Sequence, residues 1–136
     1  MKYMLDTGTL IHLIRNKPPS VAARLNGLPA GDSICMSFVS WAELLKGAEG
    51  SKLKSEVLKR LAVLVQSIPV RYSAGHGICS HYAAQAARLK ADGRPIGGND
   101  LWIASHSLAE DATLVTSNVG EFGRIQGLRV EDWADR

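Results

Sequence analysis

The chain has 136 residues, 46% of them hydrophobic, and 16 Lys and Arg against 13 Asp and Glu give a net charge of +3. That length suits one domain spanning 1–136, with enough apolar residues for a true core. No apolar run approaches the ~20 residues of a membrane span, and no long apolar segment follows Lys2, so a cytoplasmic protein without leader or anchor is expected.

In chain order, Lys2–Asp6 reads as a short buried strand ending on an acid. Thr7-Gly8-Thr9 is predicted as a turn before an apolar helical stretch, Leu10 to Arg15. Pro18-Pro19 opens a second helix carrying Val21, Leu25 and Leu28, since proline suits a first turn. A second strand is predicted over Ile34 to Phe38. Ser37 or Ser40 can then cap a helix that holds Trp41, Glu43, Leu44 and Leu45 and stops at Gly47 or Gly50. Ser51 is predicted to cap the longest amphipathic run, with Leu53, Val57, Leu61, Leu64 and Ile68 on one stripe thickened by Leu58 and Val65. Pro69-Val70 fits a short edge strand. A helix over Ile78 to Lys90 should turn Cys79, Tyr82, Ala86 and Leu89 inward. Asn99 is a good cap for a further helix, Asp100 to Glu110, burying Leu101, Ala104 and Leu108. Ala112 to Thr116 is a clear strand, Glu121-Phe122 a short helical turn, and the tail ends with Val130 to Trp133. Strands alternating with helices predict an α/β sandwich around a mostly parallel sheet.

In open parallel sheets, ligands collect at the carboxyl ends of the strands. Asp6 ends the first strand, Glu43 follows the second, Asp100 opens a helix, and Glu121 follows the last strand after Thr116-Ser117-Asn118. These four acids come from distant parts of the chain and can converge on one sheet edge. Taken alone, Asp100 is simply a helix-start residue, comfortable beside the positive end of the helix dipole. Taken together, close carboxylates repel, and desolvation sharpens the conflict. Either some are protonated or a divalent cation neutralises them, and oxygen ligands favour Mg²⁺ or Mn²⁺. Such an ion can activate water and stabilise charge on a phosphodiester.

Charge is also unevenly spread. Between Lys46 and Arg94 nine basic residues meet only three acidic ones, Glu49, Glu56 and Asp92. That density fits either a polyanion partner or a solvated helix surface. Lys46, Arg94 and the face of Lys52, Lys54, Lys59 and Arg60 are the candidates for holding phosphates without reading bases. The cysteines, Cys35 and Cys79, lack metal spacing and are expected to be buried free thiols. His12, His76, His81 and His106 show no metal-type pairing and are expected in core or surface roles. Only His106, one and a half turns beyond Asp100, merits testing. Trp41 and Trp102 are expected in the core.

The ordered set Met4-Leu-Asp-Thr-Gly-Thr-Leu-Ile11, Ser37-Phe-Val-Ser-Trp-Ala-Glu-Leu-Leu-Lys-Gly47, Gly93-Arg-Pro-Ile-Gly-Gly-Asn-Asp-Leu-Trp-Ile-Ala104 and Leu114-Val-Thr-Ser-Asn-Val-Gly-Glu-Phe122 resembles the PIN-domain nucleases, and within them the VapC toxins of type II toxin–antitoxin pairs. The resemblance covers essentially the whole chain. It implies a PIN-like α/β/α sandwich with a four- to five-stranded sheet. It also implies a Mg²⁺-dependent (or Mn²⁺-dependent) endoribonuclease that leaves 3′-hydroxyl and 5′-phosphate ends on a structured RNA such as a tRNA. Asp6, Glu43, Asp100 and Glu121 would take the catalytic positions. Asp6 and Asp100 would be the principal metal ligands, with Glu43 and Glu121 binding directly or through water. Thr7, Thr116 and Asn118 would line the site. The expected partners are a VapB-type antitoxin that blocks the acidic groove, a second copy of the chain, and promoter DNA reached through the antitoxin. Two positions depart from the pattern: Gly8 and Ser117 stand where such toxins commonly have Asn.

Other assignments fit less well. Asp6-Thr7-Gly8 also spells an aspartic-protease signature, but that fold is nearly all β and this chain is helix-rich. A phospho-receiver domain would need an early acidic pair and a late Lys, which are missing. A catalytically weak PIN-like binding module would typically lose an acid, and all four are present.

Overall fold

β1 (Lys2–Leu5) is the central strand of a five-stranded, wholly parallel sheet in the computed structural model, which describes residues 1–73 and 75–134. Its neighbours are β2 (Ser33–Ser37) on one side and β4 (Thr113–Val115) on the other. β3 (Val70–Arg71) and β5 (Val130–Glu131) form the two edges, giving the order β3-β2-β1-β4-β5. Side chains alternate across a strand, and this alternation divides the core in two. Tyr3, Leu5, Met36 and Val115 face one layer, while Met4, Cys35 and Leu114 face the other. Central strands buried on both faces read as continuous apolar runs, as Met4-Leu5 and Leu114-Val115 do.

The first layer contains α1 (Thr7–Arg15), α2 (Ser20–Asn26), α3 (Phe38–Glu49) and α4 (Lys54–Ser67). The second contains α5 (Gly77–Ala91), α6 (Gly98–Ala109) and the single turn of α7 (Val119–Phe122). Gly93, at φ +67, takes the left-handed conformation that ends α5 and turns the chain toward the loop before Asp100.

Several expectations are corrected here. No separate turn follows β1: α1 starts at Thr7, because Asp6 itself caps it, accepting the Thr9 amide at 2.8 Å. α6 starts at Gly98 with Gly97 as its cap, and Asn99 lies inside the first turn. Gly97 already has the extended backbone a cap needs (φ −58, ψ 147), so no side-chain cap is required. Phe38 begins α3 rather than ending β2 and is 38% exposed, while Ser37 is the cap, accepting from Val39. α3 closes on Gly50. Leu53, not Ser51, is the N-terminal flanking residue of α4, and Leu53 and Leu58 are exposed, so the buried stripe narrows to Leu61, Leu64 and Ile68 with Val57 and Val65 beside it. Cys79 is exposed, whereas Cys35 is buried and its thiol is pushed up to about 11, chiefly by burial. On α5 the inward positions are Ile78, Gln85 and Leu89, with Tyr82 and Ala86 packed at the margin. Trp41 and Trp102 are only half-buried, Trp102 stacked on Tyr82 at 3.9 Å, and Trp133 is the tryptophan in the core. Among the described residues no helix is long and apolar enough to cross a membrane.

Candidate active site

The chain reverses its direction of travel across the sheet between β1 and β4, the topological switch point where ligand crevices form in such sheets. Asp6 stands at that point. Its amide donates to the Val115 carbonyl at 3.0 Å, and the Thr9 hydroxyl donates to the same carbonyl at 3.0 Å. Asp6 is a buried residue at 8% exposure, and burial raises its carboxyl above the usual range. Hydrogen bonds from Thr116 and Thr9 oppose that rise. Thr116, fully buried at the end of β4, also accepts the Asn118 amide at 3.0 Å and so shapes the turn into α7. Asn118 in turn donates from Nδ2 to Glu121 Oε2 at 3.0 Å.

Glu43 arrives from the other side. One and a half turns into α3, its Oε1 accepts the Thr7 hydroxyl at 2.6 Å. That bond ties α3 to the first residue of α1. Asp100 lies in the first turn of α6, and all three other acids act on it. Burial first, then its contact with Glu121, then the charges of Glu121, Glu43 and Asp6 push its carboxyl up to about 7. Asp6, Glu43 and Glu121 are thus all near enough to act on Asp100, and Thr116, Thr7 and Asn118 hydrogen-bond to Asp6, Glu43 and Glu121 respectively.

The basic candidates Lys46, Lys52, Lys54, Lys59, Arg60 and Arg94 are all exposed. Lys54 is paired with Glu49 at 3.0 Å. Arg60 and the unpredicted Arg15 line a groove of about 280 Å³ that begins at Thr7 and Glu43 and continues past Ile11 and Val57. These two cations thus share a groove with Glu43.

The donor set suits a hard divalent cation. Among the described residues, no three His, Cys, Asp or Glu side chains are spaced to enclose one ion. Mg²⁺ does not ask for that: it is typically held through one or two carboxylates and keeps several waters. Among the described residues, buried Glu121 Oε1 accepts no hydrogen bond, although Asp100 lies against Glu121; such an acceptor is one a hard cation could satisfy.

A profile of the PIN domain matches residues 3–128. The chain belongs to the PIN-domain family.

Within that family its relatives are VapC proteins. It is 45% identical over 133 residues to Ribonuclease VapC1 of Haemophilus influenzae, covering 98% of each chain. It is 40% identical to the tRNA(fMet)-specific endonuclease VapC of Shigella flexneri, over 98% of this chain and 99% of the other. Among solved structures, VapBC2 from Rickettsia felis bound to a DNA fragment from its promoter matches with a TM-score of 0.91 at 35% identity, over 98% and 99% of the two chains. The helix-rich parallel sheet excludes the all-β protease fold.

Two supports of this PIN domain's site were not singled out from the sequence. Thr9 secures both Asp6 and Val115, and its signal was the Asp-x-x-Thr spacing of a capped helix start. The Thr7–Glu43 bond joins residues 36 apart, and no local spacing announces it. Gly8 leaves room for the amide it lacks: a Cβ there would meet only Asp6 Oδ1, at 3.8 Å.

Proposed function

We propose that this PIN domain is the toxin of a VapBC-type pair, a Mg²⁺-dependent endoribonuclease acting on structured RNA such as a tRNA. The observation that carries this reading is the convergence of Asp6, Glu43, Asp100 and Glu121 at the switch point of a chain that aligns end to end with named VapC ribonucleases. The Shigella relative's tRNA specificity supports the substrate class. Asp6 and Asp100 would hold the ion, with Glu43 and Glu121 binding it directly or through water. When bound, the ion supplies an activated water and a counter-charge to the phosphodiester.

The chain's own residues do the rest. Thr7 keeps Glu43 turned into the site, and Asn118 does the same for Glu121. Thr9 and Thr116 hold Asp6 at the crevice floor. Arg15, Arg60 and the exposed Lys46, Lys52, Lys54, Lys59 and Arg94 position phosphates outside it. A VapB-type antitoxin would restrain the nuclease by covering the acidic groove and would carry any contact with promoter DNA. Pairing with a second copy belongs to the same proposal.

The test is cleavage of total RNA by the purified chain with Mg²⁺, with EDTA, and by the Asp100→Asn variant. The expected result is cleavage in the first case only, with the variant reduced roughly a hundredfold or more. Equal cleavage in all three would sink the metal-nuclease reading.

A second expectation concerns Gly8. Gly8→Asn would place an amide beside Asp6 able to orient a carboxylate or a metal-bound water, and it should shift the Mg²⁺ titration of activity to roughly threefold to tenfold lower concentration. An unchanged titration would show that the position is inert.

A further inference from the structure

Ser37 and His106 are both at 0% exposure, and neither belongs to the acid cluster. Ser37 ends β2 and caps α3, where its Oγ accepts the Val39 amide at 3.1 Å. The Ser37 hydroxyl proton can then go to His106 Nδ1, 2.8 Å away. Nε2 then carries the ring's hydrogen; it has no hydrogen-bond partner among the described residues, and Glu110 Oε1 lies 3.9 Å away. Glu110 is itself held by Lys2 at 3.0 Å and Arg71 at 3.2 Å. Burial keeps the imidazole neutral by lowering its pKa, although Glu110 opposes the shift.

The spacing gives this bond a consequence. Ser37 precedes Glu43 by six residues, and His106 follows Asp100 by six residues. Each span is about 9 Å of helix. The Ser37–His106 bond thus lies at one end of the α3–α6 contact, and the Glu43 and Asp100 carboxylates, which repel each other, lie toward the other. An apolar side chain of equal volume would fill the same space but leave the Ser37 hydroxyl unanswered.

We propose that His106 is a positioning residue: through Ser37 it pins α3 to α6 and keeps Glu43 within reach of Asp100 despite their repulsion. The consequence for metal binding rests on the metalloribonuclease reading. The pinning itself does not.

The experiment compares His106→Asn, which keeps an acceptor near the Nδ1 position, with His106→Gln and His106→Leu, which do not. Mn²⁺ binding is measured by calorimetry on the full chain, at a temperature where circular dichroism shows every variant folded. Amide exchange is measured on the metal-free proteins. The Gln and Leu variants should bind Mn²⁺ roughly fivefold to tenfold more weakly, the range that loss of one net hydrogen bond allows. Their α3 amides should also exchange faster by a similar factor. The Asn variant should stay within about twofold of wild type in both.

Identical behaviour of the Asn and Gln variants would overturn the proposal, as would exchange that rises equally through α4 and α5, since His106 would then merely fill the core. Ser37→Ala reaches the same bond from the other partner. Because Ser37 also caps α3, its loss should loosen α3 at least as much as His106→Gln does, and adding His106→Gln to it should change nothing further. If the His106 variants do not fold, wild-type affinity and exchange in Ser37→Ala would overturn the proposal alone. Failure of the wild type to bind Mn²⁺ would reject the metal reading, while the exchange data would still decide the pinning.

Discussion

Asp100→Asn is expected to stabilise the metal-free protein at alkaline pH while removing its activity. In the folded state the Asp100 carboxyl sits at about 7, whereas in an unfolded chain it would titrate near ~3.9. A group raised in this way contributes stability that is fully present below the unfolded value and lost as pH rises through the folded value. Metal-free wild type should therefore weaken between about pH 4 and pH 7. Asn carries no charge, so the variant should lack that decline. The site is only half-buried, so solvent screening reduces the nominal effect to about 1–2 kcal/mol at pH 8. That corresponds to a Tm higher by roughly 3–8 °C, with little difference at pH 4. Mg²⁺ should reverse the order by stabilising wild type alone, and more strongly at pH 8 than at pH 5.5, because protons and metal compete for the same oxygens. Thermal melts over this pH range, with and without Mg²⁺, check all of this. A variant that melts below wild type at pH 8 without metal would show that the carboxylates do not repel as described.

Phe122→Ala should have the largest effect on stability. Phe122 is 1% exposed and sits in the second core layer with Met4, Leu101, Ile103 and Leu114. Truncating a buried Phe costs about 3–5 kcal/mol, a large share of the roughly 5–15 kcal/mol that holds a domain together. The residue is also the buried member of a helix of a single turn, Val119–Phe122, in which Glu121 is half-buried beside it. Loss of the ring should therefore loosen Glu121 as well as the core. Leu64→Ala, in the opposite layer, provides the control. Denaturant midpoints should fall for both variants, but at a temperature where each is folded only Phe122→Ala should lose cleavage beyond its loss of folded protein. Proportional losses in the two would show that Glu121 is positioned without help from its neighbour.

The acids were legible because each closes or follows a locally recognisable element: an apolar strand ahead of Asp6 and of the Thr116 turn, an apolar helix around Glu43 and after Asp100. Sheet edges and helix ends were less so. Gly97 caps α6 through its backbone conformation, while Asn99 carries the stronger sequence signal and lies within the first turn. Leu53, just before α4, and Leu58 on it continue an apolar period yet stay exposed. Cys79 looked inward by composition, but α5 presents Ile78 and Gln85 instead. The Thr7–Glu43 and Ser37–His106 bonds join residues 36 and 69 positions apart, and pairings that arise only from packing leave no periodic trace.

The shortness of the outer strands also has a consequence for the molecule's behaviour in a crowded solution. β3 and β5 are two residues each, and Arg71 and Glu131 place a charge on either margin. A sheet margin invites another chain to add itself when it offers a long row of unpaired amides and carbonyls, and charges discourage that addition. Here the rows end almost where they begin. Edge-to-edge addition of another chain to this sheet is thereby discouraged.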